Sequence, residues 1–589
     1  MSKTFADQLS RLLNEALQET ASAADIPSDF VAQIDQAQNR QFGDYQSNVA
    51  MILAKQVKKN PRELAAEIIE AIPESNLIQT PEIAGPGFIN FRITETALDT
   101  RLTELLADDT RLGVAKAESP QTIVADFSAP NVAKPMHVGH IRSTIIGDSL
   151  TRIARFLGHK VISDNHIGDW GTQFGMILWG WKNLLDEAAM EETPIEELLR
   201  IYRDVNAKTK DDVTLKETCK NELVKLQGGD EENLQIWERC IELSKTGLQK
   251  IYNRLDVNFD HWLGESFYND QLGPLVEQLL ESGIAEESDG AVAVFSDGSL
   301  PEKEDPLLKN EDDEWKPQPT LIRKSDGGFL YATTDLATID YRIDNLGADA
   351  IWYIVGAPQQ LHFDQIFQVA KRRGQDADLQ FIPFGSILGK DRKMLRTRSG
   401  DTVQLADVLD EAVERARKIV EEKNPDFSDE EKTEIAEIIG IGSVKYAELS
   451  QFRMTDYIFD WDTMLALKGN TAPYLLNAYV RTRAIFRKLG SDYEPASEIS
   501  LTEDAEKTLT LKLAQFAEIV PTVLDDFRPN ALAQYLYDVA TTYHKFWEAC
   551  PVLKAEGAIR DTRLALCELT GRILRCGLGL LGIRTTEKM

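Results

Sequence analysis

The sequence predicts an α/β protein with a small N-terminal α/β domain, a central domain on a doubly wound parallel sheet, and a C-terminal all-α bundle. Two observations predict this class. From Thr122 onward, strand-like apolar runs alternate with helical patterns, which is the order of βαβ units. From about Ala406 the pattern is helical to the end, without an internal repeat.

Four segments are expected, because 589 residues exceed the length that one hydrophobic core supports. They are the N-terminal domain (1–118), the central domain (119–405), a helical connector (406–459) and the bundle (460–589). In the N-terminal domain, residues 5–21 and 61–72 have helical patterns, and residues 85–93 alternate as a strand does.

The central domain begins with a strand, a turn and a helix. Four strands of its sheet are expected, at residues 123–127, 160–164, 328–331 and 350–356. A helix follows the first strand from His137. Residues from about 186 to 255 are acidic and helical and indicate an insertion, whereas residues 286–319 are rich in Asp, Glu, Pro and Gly and predict exposed turns.

Composition favours an ordinary globular protein, with 43% hydrophobic and 27% charged residues. No apolar run approaches the roughly 20 residues of a membrane span, and the first residues lack the apolar core of a signal peptide. Five cysteines without Cys-x-x-Cys spacing indicate reduced thiols. We therefore expect a cytoplasmic protein that does not contact a membrane.

The net charge of −31 argues against general nucleic-acid binding, because phosphate contacts need clustered cations. The charge is unevenly distributed, however. Residues 460–589 carry 16 Lys and Arg against 17 Asp and Glu, and the rest of the chain carries 49 against 79. A basic face on the C-terminal bundle is therefore compatible with the composition.

The most informative stretch is 126–140, which leads from the first strand into a helix. A helix N-terminus offers unpaired N–H groups and a positive dipole end, and His137 and His140 add donors to its first turn. Gly139 has no side chain, so a base or ribose could approach the backbone closely. ATP binding is the functional hypothesis, and a helix cap or two solvated histidines is the alternative.

Residues 128–148, with His-Val-Gly-His at their centre, resemble the His-x-Gly-His signature of class I aminoacyl-tRNA synthetases, and specifically arginyl-tRNA synthetase of the bacterial type. The resemblance implies a Rossmann-like catalytic domain with a helical insertion and a C-terminal anticodon-binding bundle. It implies that L-arginine reacts with ATP to give arginyl-adenylate, and that the arginyl group passes to the 3′-terminal adenosine of tRNA(Arg). Mg²⁺ would travel with ATP, with no tightly bound cofactor.

A second motif is the loop 389–400, which carries five cations within nine residues. Cations suit the charge that builds on a leaving pyrophosphate, and a solvated basic loop is the alternative. Residues 393–397 resemble the Lys-Met-Ser-Lys-Ser loop of the family. The resemblance implies that Lys393 and Arg396 contact the pyrophosphate, while Lys134, with His137 and His140, contacts the α-phosphate.

Tyr331 and Asp335 are candidates for binding the arginine side chain. If a helix begins at Tyr331, the two lie one turn apart, and an aromatic face with a carboxylate suits a guanidinium. The alternative is a core tyrosine with a capping aspartate. The resemblance implies the functional assignment, and it adds Gln359, Asn131 and Asp126 as further contacts to arginine.

Residues 529–553 resemble the helical anticodon-binding domain of the arginyl-tRNA synthetases. On the helix expected at 471–488, aromatic and basic residues alternate, as single-stranded RNA recognition requires. An amphipathic core helix is the alternative. The resemblance implies that the bundle binds the anticodon and that the N-terminal domain contacts the tRNA D-loop. The expected RNA-contacting residues are Asn48, Phe88, Tyr474, Tyr479, Arg481, Trp547 and Met589.

Two other functions remain compatible with these motifs. The first is a class I synthetase for another amino acid, although a neutral substrate would leave Asp335 unpaired. The second is a catalytically inactive tRNA-binding paralogue, although both histidines and Lys134 are present. No metal site is expected, because seven histidines and five scattered cysteines give no four-ligand set, and a monomer is expected.

Overall fold

The computed structural model describes residues 3–20, 25–27, 29–37, 39–171, 173–393, 403–490 and 499–589. Its contacts divide the chain into two compact units. Unit 1 comprises residues 1–116, 467–579 and 584–589, and unit 2 comprises residues 117–466 and 580–583.

The N-terminal part of unit 1 is a four-stranded antiparallel sheet with helices. Its elements are α1 (Phe5–Glu19), β1 (Asp35–Gln36), β2 (Tyr45–Ser47), α2 (Val49–Ala54), α3 (Pro61–Ala71), β3 (Glu82–Ala84), β4 (Phe88–Phe91) and α4 (Glu95–Ala107). Thr4 and Asp7 form a capping box that starts α1, and Asn60 caps α3 with proline at its first position. The strand order is β1-β2-β4-β3.

Unit 2 is built on a parallel sheet. Its strands are β5 (Thr122–Asp126), β6 (Lys160–Asp164), β7 (Glu286–Ser288), β8 (Ala291–Val294), β9 (Leu308–Glu311), β10 (Glu314–Pro317), β11 (Thr320–Arg323), β12 (Ala350–Gly356), β13 (Asp378–Phe384), β14 (Ile387–Leu388) and β15 (Tyr457–Ile458). Its helices are α5 (Gly139–Phe156), α6 (Gln173–Leu184), α7 (Glu187–Glu192), α8 (Pro194–Lys208), α9 (Val213–Gln227), α10 (Glu231–Leu255), α11 (Asn269–Glu281), α12 (Tyr331–Asp344), α13 (Gln360–Arg372), α14 (Leu405–Lys423), α15 (Asp429–Leu449) and α16 (Trp461–Met464).

The order β13-β12-β5-β6, with all neighbours parallel, confirms the predicted fold class. The strand order reverses direction between β5 and β12, so the chain leaves their carboxyl ends toward opposite sides of the sheet. Ligands of doubly wound sheets bind at this switch point. The sheet therefore places the loops after β5 and β12 where a substrate would lie.

Two sequence expectations about unit 2 are wrong. Residues 328–331 do not continue the parallel sheet: Phe329 makes only an isolated bridge to Arg323, and α12 starts at Tyr331. The fourth strand is instead β13, at the edge of the sheet, where Pro383 is tolerated because an edge strand needs fewer N–H donors. Residues 286–319 are not only exposed turns, since they form β7 to β10 and bury Val292 and Val294.

Helices α7 to α10 form the insertion, with Gly228 and Gly229 separating α9 from α10. This insertion and α6 share one hydrophobic core. That core contains Phe174, Ile177, Leu198 and Leu226. A second core lies between the sheet and helices α11 to α13. In the loop after β5, Val132 and Ala133 pack into the core that α6 shares with the insertion. The insertion therefore helps to hold this loop in place.

The C-terminal part of unit 1 is helical. Its elements are α17 (Ala472–Leu489), α18 (Asp504–Ala514), α19 (Phe516–Asp525), α20 (Pro529–Ala549) and α21 (Gly557–Leu580), of which the last residue belongs to unit 2. Within the described residues, none of the helices has the length and apolar character needed to span a membrane.

Candidate active site

The loop after β5 is held in a strained backbone conformation. Ser128, Ala129 and Ala133 have φ of 74°, 45° and 60°, in the left-handed region that residues with a side chain rarely adopt. Side chains fix this shape: Ser128 N donates to Ser143 Oγ (2.8 Å) and Ala129 N donates to Asn165 Oδ1 (3.1 Å). Backbone strain that the surroundings enforce is characteristic of functional sites.

The next residues, 137–140, form a turn with two stacked imidazoles, called here the histidine turn. The ring centroids of His137 and His140 are 3.9 Å apart. His137 Nδ1 accepts from Gly139 N (3.0 Å), and His140 Nδ1 accepts from His137 N (3.1 Å). A neutral imidazole whose Nδ1 accepts must carry its proton on Nε2. Both rings therefore present an Nε2–H donor for a ligand.

Both imidazoles are neutral at physiological pH. Burial and the neighbouring His137 lower the pKa of His140 to about 3. Burial and nearby Lys134 lower the pKa of His137. The histidine turn therefore offers two N–H dipoles rather than two positive charges, and cationic groups must come from elsewhere.

Lys134 and Lys393 are the predicted cations that the structure describes. The Nζ atom of Lys134 lies 4.5 Å from the ring centroid of Tyr202, on α8 of the insertion. Lys393 is exposed, and its carbonyl accepts from Gly389 N (2.8 Å), which closes the start of the loop. Arg396 lies outside the described residues.

Tyr331 and Asp335 lie one turn apart on α12, the first turn of which starts at Tyr331. Tyr331 is 67% exposed, so it is not a core residue. Asp335 does not cap the helix: its Oδ2 lies 2.5 Å from Nε2 of His362, on α13. Within the described residues, the second carboxylate oxygen of Asp335 has no hydrogen-bond partner, so a guanidinium could pair with it.

Sequence reasoning missed Glu265, which interacts electrostatically with both Asp335 and Tyr331. Burial raises the pKa of Glu265 to about 7, and Asp169 and Asp335 add to this rise against the effect of His166. We call Tyr331, Asp335, Glu265 and His362 the α12 pocket, because a hydrogen bond links Asp335 to His362 and electrostatic interactions link Glu265 to Asp335 and Tyr331. The sequence signal was weak, because a single glutamate in a 3₁₀ turn (Glu265–Tyr268) has no pattern.

Asp126 ends β5 and is buried against a guanidinium. Its Oδ2 accepts from Nη2 of Arg342 (2.7 Å), which also donates to Asp164 (2.9 Å), at the end of β6. Arg342 is fully buried, and burial raises the pKa of Asp126. A substrate contact by Asp126 would have to use the other carboxylate oxygen.

Asn131 and Gln359 lie on the loops that follow β5 and β12, and both are exposed. The Asn131 side chain lies over Gly168, where a Cβ atom would come within 2.4 Å of Asn131 Oδ1. Glycine at 168 therefore makes room for the amide of Asn131. Within the described residues, no group of three or more His, Cys, Asp and Glu is arranged to hold a metal ion.

In unit 1, three of the residues predicted to bind RNA lie together on α17 and α20. The ring centroids of Tyr474 and His544 are 5.0 Å apart, Arg481 Nη1 lies 2.9 Å from His544 Nδ1, and the Arg481 guanidinium lies 5.9 Å from the Trp547 ring. Burial and Arg481 lower the pKa of His544 to about 4, so this imidazole accepts from Arg481. We call Tyr474, Arg481, His544 and Trp547 the α17–α20 cluster.

The other predicted RNA contacts are dispersed. Tyr479 is buried, and its hydroxyl donates to Glu587 (2.8 Å), close to Met589 in sequence. Asn48 precedes α2, and Phe88 starts β4; both are half-buried. A contact between RNA and Tyr479 would require the Glu587 segment to move.

Three family models match the chain. The "Arginyl tRNA synthetase N terminal domain" matches residues 7–93, "tRNA synthetases class I (R), catalytic domain" matches 101–461, and the "DALR anticodon binding domain" matches 475–589. The histidine turn and the α12 pocket both lie inside the second match.

Full-length relatives agree with these matches. The arginine–tRNA ligase of Cellvibrio japonicus is 44% identical over 98% of this chain and 99% of its own. That of Picosynechococcus is 44% identical over the whole of both chains. The crystal structure of arginyl-tRNA synthetase from Plasmodium falciparum, 29% identical, superposes with a TM-score of 0.83 over 100% of this chain and 99% of that one. The chain belongs to the class I arginyl-tRNA synthetases.

Proposed function

We propose that the histidine turn, the α12 pocket and the loop 389–400 together form arginyl-adenylate from arginine and ATP. The observation that carries the proposal is the pair of Nε2–H donors at the switch point of the sheet. Neutral donors fixed by the backbone suit a phosphate oxygen, because they need no reorganisation during the reaction. Lys134, His137 and His140 are assigned to the α-phosphate, with Gly139 giving the nucleotide access to the backbone.

In the proposed step, the arginine carboxylate attacks the α-phosphorus, the bond to the β-phosphate oxygen breaks, and pyrophosphate leaves with its charge. Lys393 and Arg396 are assigned to the leaving pyrophosphate. Mg²⁺ arrives with the phosphates of ATP, as is usual for this ion. The protein supplies positioning and charge stabilisation rather than a nucleophile.

The α12 pocket is assigned to the guanidinium. Tyr331 offers its ring face, and Asp335 and Glu265 offer carboxylate oxygens, so a planar cation would meet charge on one side and a π-system on another. Asn131, Gln359 and the second carboxylate oxygen of Asp126 are assigned to the α-amino and carboxylate end of arginine. This geometry selects arginine over neutral amino acids, which would leave the carboxylates unpaired.

The arginyl group then passes to the terminal adenosine of tRNA(Arg). The residues 460–589 are proposed to bind the anticodon through the α17–α20 cluster, with Tyr479 and Met589 contributing, and residues 1–118 to contact the D-loop through Asn48 and Phe88. Stacking by aromatic side chains and arginine is how single-stranded bases are held. We further propose that the protein acts as a monomer in the cytoplasm.

The test is exchange of labelled pyrophosphate into ATP, run with each amino acid, with and without tRNA(Arg). We expect exchange with arginine alone among the amino acids. His140→Ala should lower kcat about 100-fold, because a fixed transition-state donor is lost. His159→Ala, which removes a histidine whose Nδ1 accepts from Gln121 N away from the turn, should leave kcat unchanged. Exchange with another amino acid would refute the assignment of the α12 pocket.

A further inference from the structure

Arg142 lies two residues after His140 on α5 and is buried, with 1% of its surface exposed. Its Nε donates to Glu448 Oε2 (2.9 Å), and its Nη1 donates to the carbonyl of Thr455 (3.1 Å). The histidine turn is therefore anchored two residues after its second imidazole, by a charged hydrogen bond to α15.

Glu448 is buried on α15 and uses both oxygens. The second oxygen accepts from the hydroxyl of Tyr457, on β15. The Arg142 guanidinium lies 5.4 Å from the Tyr457 ring centroid and 5.9 Å from that of Phe384, the last residue of β13. Arginine, glutamate and tyrosine thus form one buried network that joins α5, α15 and β15.

β15 lies beside β14, the strand that leads into the loop 389–400. It pairs in parallel with β14, with Tyr457 opposite Ile387, and Phe459 N donates to the carbonyl of Leu388 (2.9 Å). The loop 389–400 begins at the residue after β14. An unbroken series of hydrogen bonds therefore runs from the first turns of α5 to the start of the loop that bears Lys393.

Stability alone does not account for this network. Burying a charged pair costs desolvation energy, and an apolar replacement of similar volume is often as stable. A charged network with fixed directions instead specifies one relative geometry of the elements that it joins. The two elements joined here are those assigned to opposite ends of the triphosphate.

We propose that Arg142, Glu448 and Tyr457 are positioning residues that fix the start of this loop, residues 389–393, relative to the histidine turn during arginine activation. They touch neither arginine nor ATP. The proposal rests on the proposed function, since it needs the turn and the loop to act on the same nucleotide. Loss of the network should therefore lower kcat of pyrophosphate exchange and leave the KM for arginine unchanged, because the α12 pocket is built on other elements.

The first test compares Tyr457→Phe with Tyr535→Phe. Each removes one buried hydroxyl, and Tyr535, in unit 1, donates to the carbonyl of Lys512 (2.7 Å). We expect similar losses of unfolding free energy from both. Tyr457→Phe should lower kcat at least tenfold with the arginine KM within twofold, whereas Tyr535→Phe should keep kcat within twofold. Equal kcat values for the two variants would overturn the proposal.

The second test replaces the ion pair with apolar residues of similar length, Arg142→Met with Glu448→Leu. This double variant avoids leaving one charge buried alone, which would unfold the site. We expect a folded protein that still binds arginine in calorimetry but exchanges pyrophosphate at least tenfold more slowly. A folded double variant with wild-type kcat would also overturn the proposal. Absence of exchange in the wild-type protein would instead count against the proposed function.

Discussion

At the scale of single residues, Glu265 is the carboxylate of the α12 pocket whose pKa burial raises. Because its pKa is raised to about 7, the carboxylate is partly protonated at neutral pH when the α12 pocket is empty. A bound guanidinium pairs only with the ionised form. Arginine affinity should therefore rise with pH up to about 7 and level off above it, and it should fall about tenfold from pH 8 to pH 6.

Calorimetric titration of arginine across this range checks the expectation. Glu265→Gln keeps the size of the side chain and removes its titration, so the variant should bind arginine more weakly at pH 8 and lose the pH dependence between 6 and 8. An unchanged slope in the variant would show that another group titrates. The tRNA-free protein is used, since only the binding step is measured.

Residues of the site differ in how far the sequence reveals them. Tyr331 and Asp335 are four apart, so a helix starting at Tyr331 was enough to predict their proximity. Glu265 and His362 come from other elements and reach the pocket only through the tertiary fold. The buried pairing of Asp126 with Arg342 was equally hidden, because 216 residues separate the two.

At the scale of the element, the histidine turn depends on the absence of a side chain at Gly139. A Cβ atom there would lie 2.8 Å from His137 Cε1 and 2.9 Å from Nδ1. Gly139→Ala should therefore displace the His137 ring and lower kcat of pyrophosphate exchange about tenfold or more, as the loss of one positioned donor does.

The matched control is Gly273→Ala, in the middle of α11, where a Cβ atom would meet nothing within 4 Å. Alanine favours a helix over glycine by about 1 kcal/mol, so this variant should unfold at equal or higher denaturant concentration with unchanged kcat. If both variants were equally active, the close approach at Gly139 would have no catalytic meaning.

The second prediction for single elements concerns tRNA binding by helices α17 and α20. Arg481→Ala removes the guanidinium that orders His544 and lies near Trp547, so we expect tRNA(Arg) to bind about tenfold more weakly in filter-binding titrations. Arg239→Ala, on α10, removes an exposed arginine paired with Glu242 and should leave binding within twofold. Equal weakening by both variants would indicate a general charge effect.

The elements themselves were predicted best where one periodicity dominates. Residues 160–164 were expected as a strand and form β6 with the same bounds. Residues 286–319 were wrongly predicted as exposed turns, because charged residues of the exposed β9–β10 hairpin outnumber the buried valines of β8. β13 was not foreseen, because a proline in an edge strand weakens the strand pattern.

At the scale of the whole molecule, unit 1 is assembled from the two ends of the chain. Glu518, on α19, accepts from the Tyr45 hydroxyl (2.8 Å), Gln36 Nε2 (3.1 Å) and Ala6 N (3.2 Å). Glu518→Gln puts an NH₂ group where a carboxylate oxygen accepts, so we expect unit 1 to lose about 1–3 kcal/mol of unfolding free energy.

Amide hydrogen exchange of β2 and α1 in urea reports this loss for unit 1 separately from unit 2. Glu95→Gln is the control on the same unit: its partner is Lys507, and the carboxylate is 64% exposed, so the expected loss is below about 1 kcal/mol. Equal losses in the two variants would mean that the three hydrogen bonds of Glu518 add nothing beyond a surface pair.

The Tyr45–Glu518 contact also has a consequence for synthesis of the protein. The two residues are 473 positions apart, and ribosomes add about 5–20 residues per second, so roughly 25–95 s separate the emergence of donor and acceptor. During that interval the nascent N-terminal domain exists without the helices it finally packs against. A chain held on a ribosome that stalls before Glu518 is added therefore still exposes an unfinished face of its N-terminal domain to chaperones and proteases.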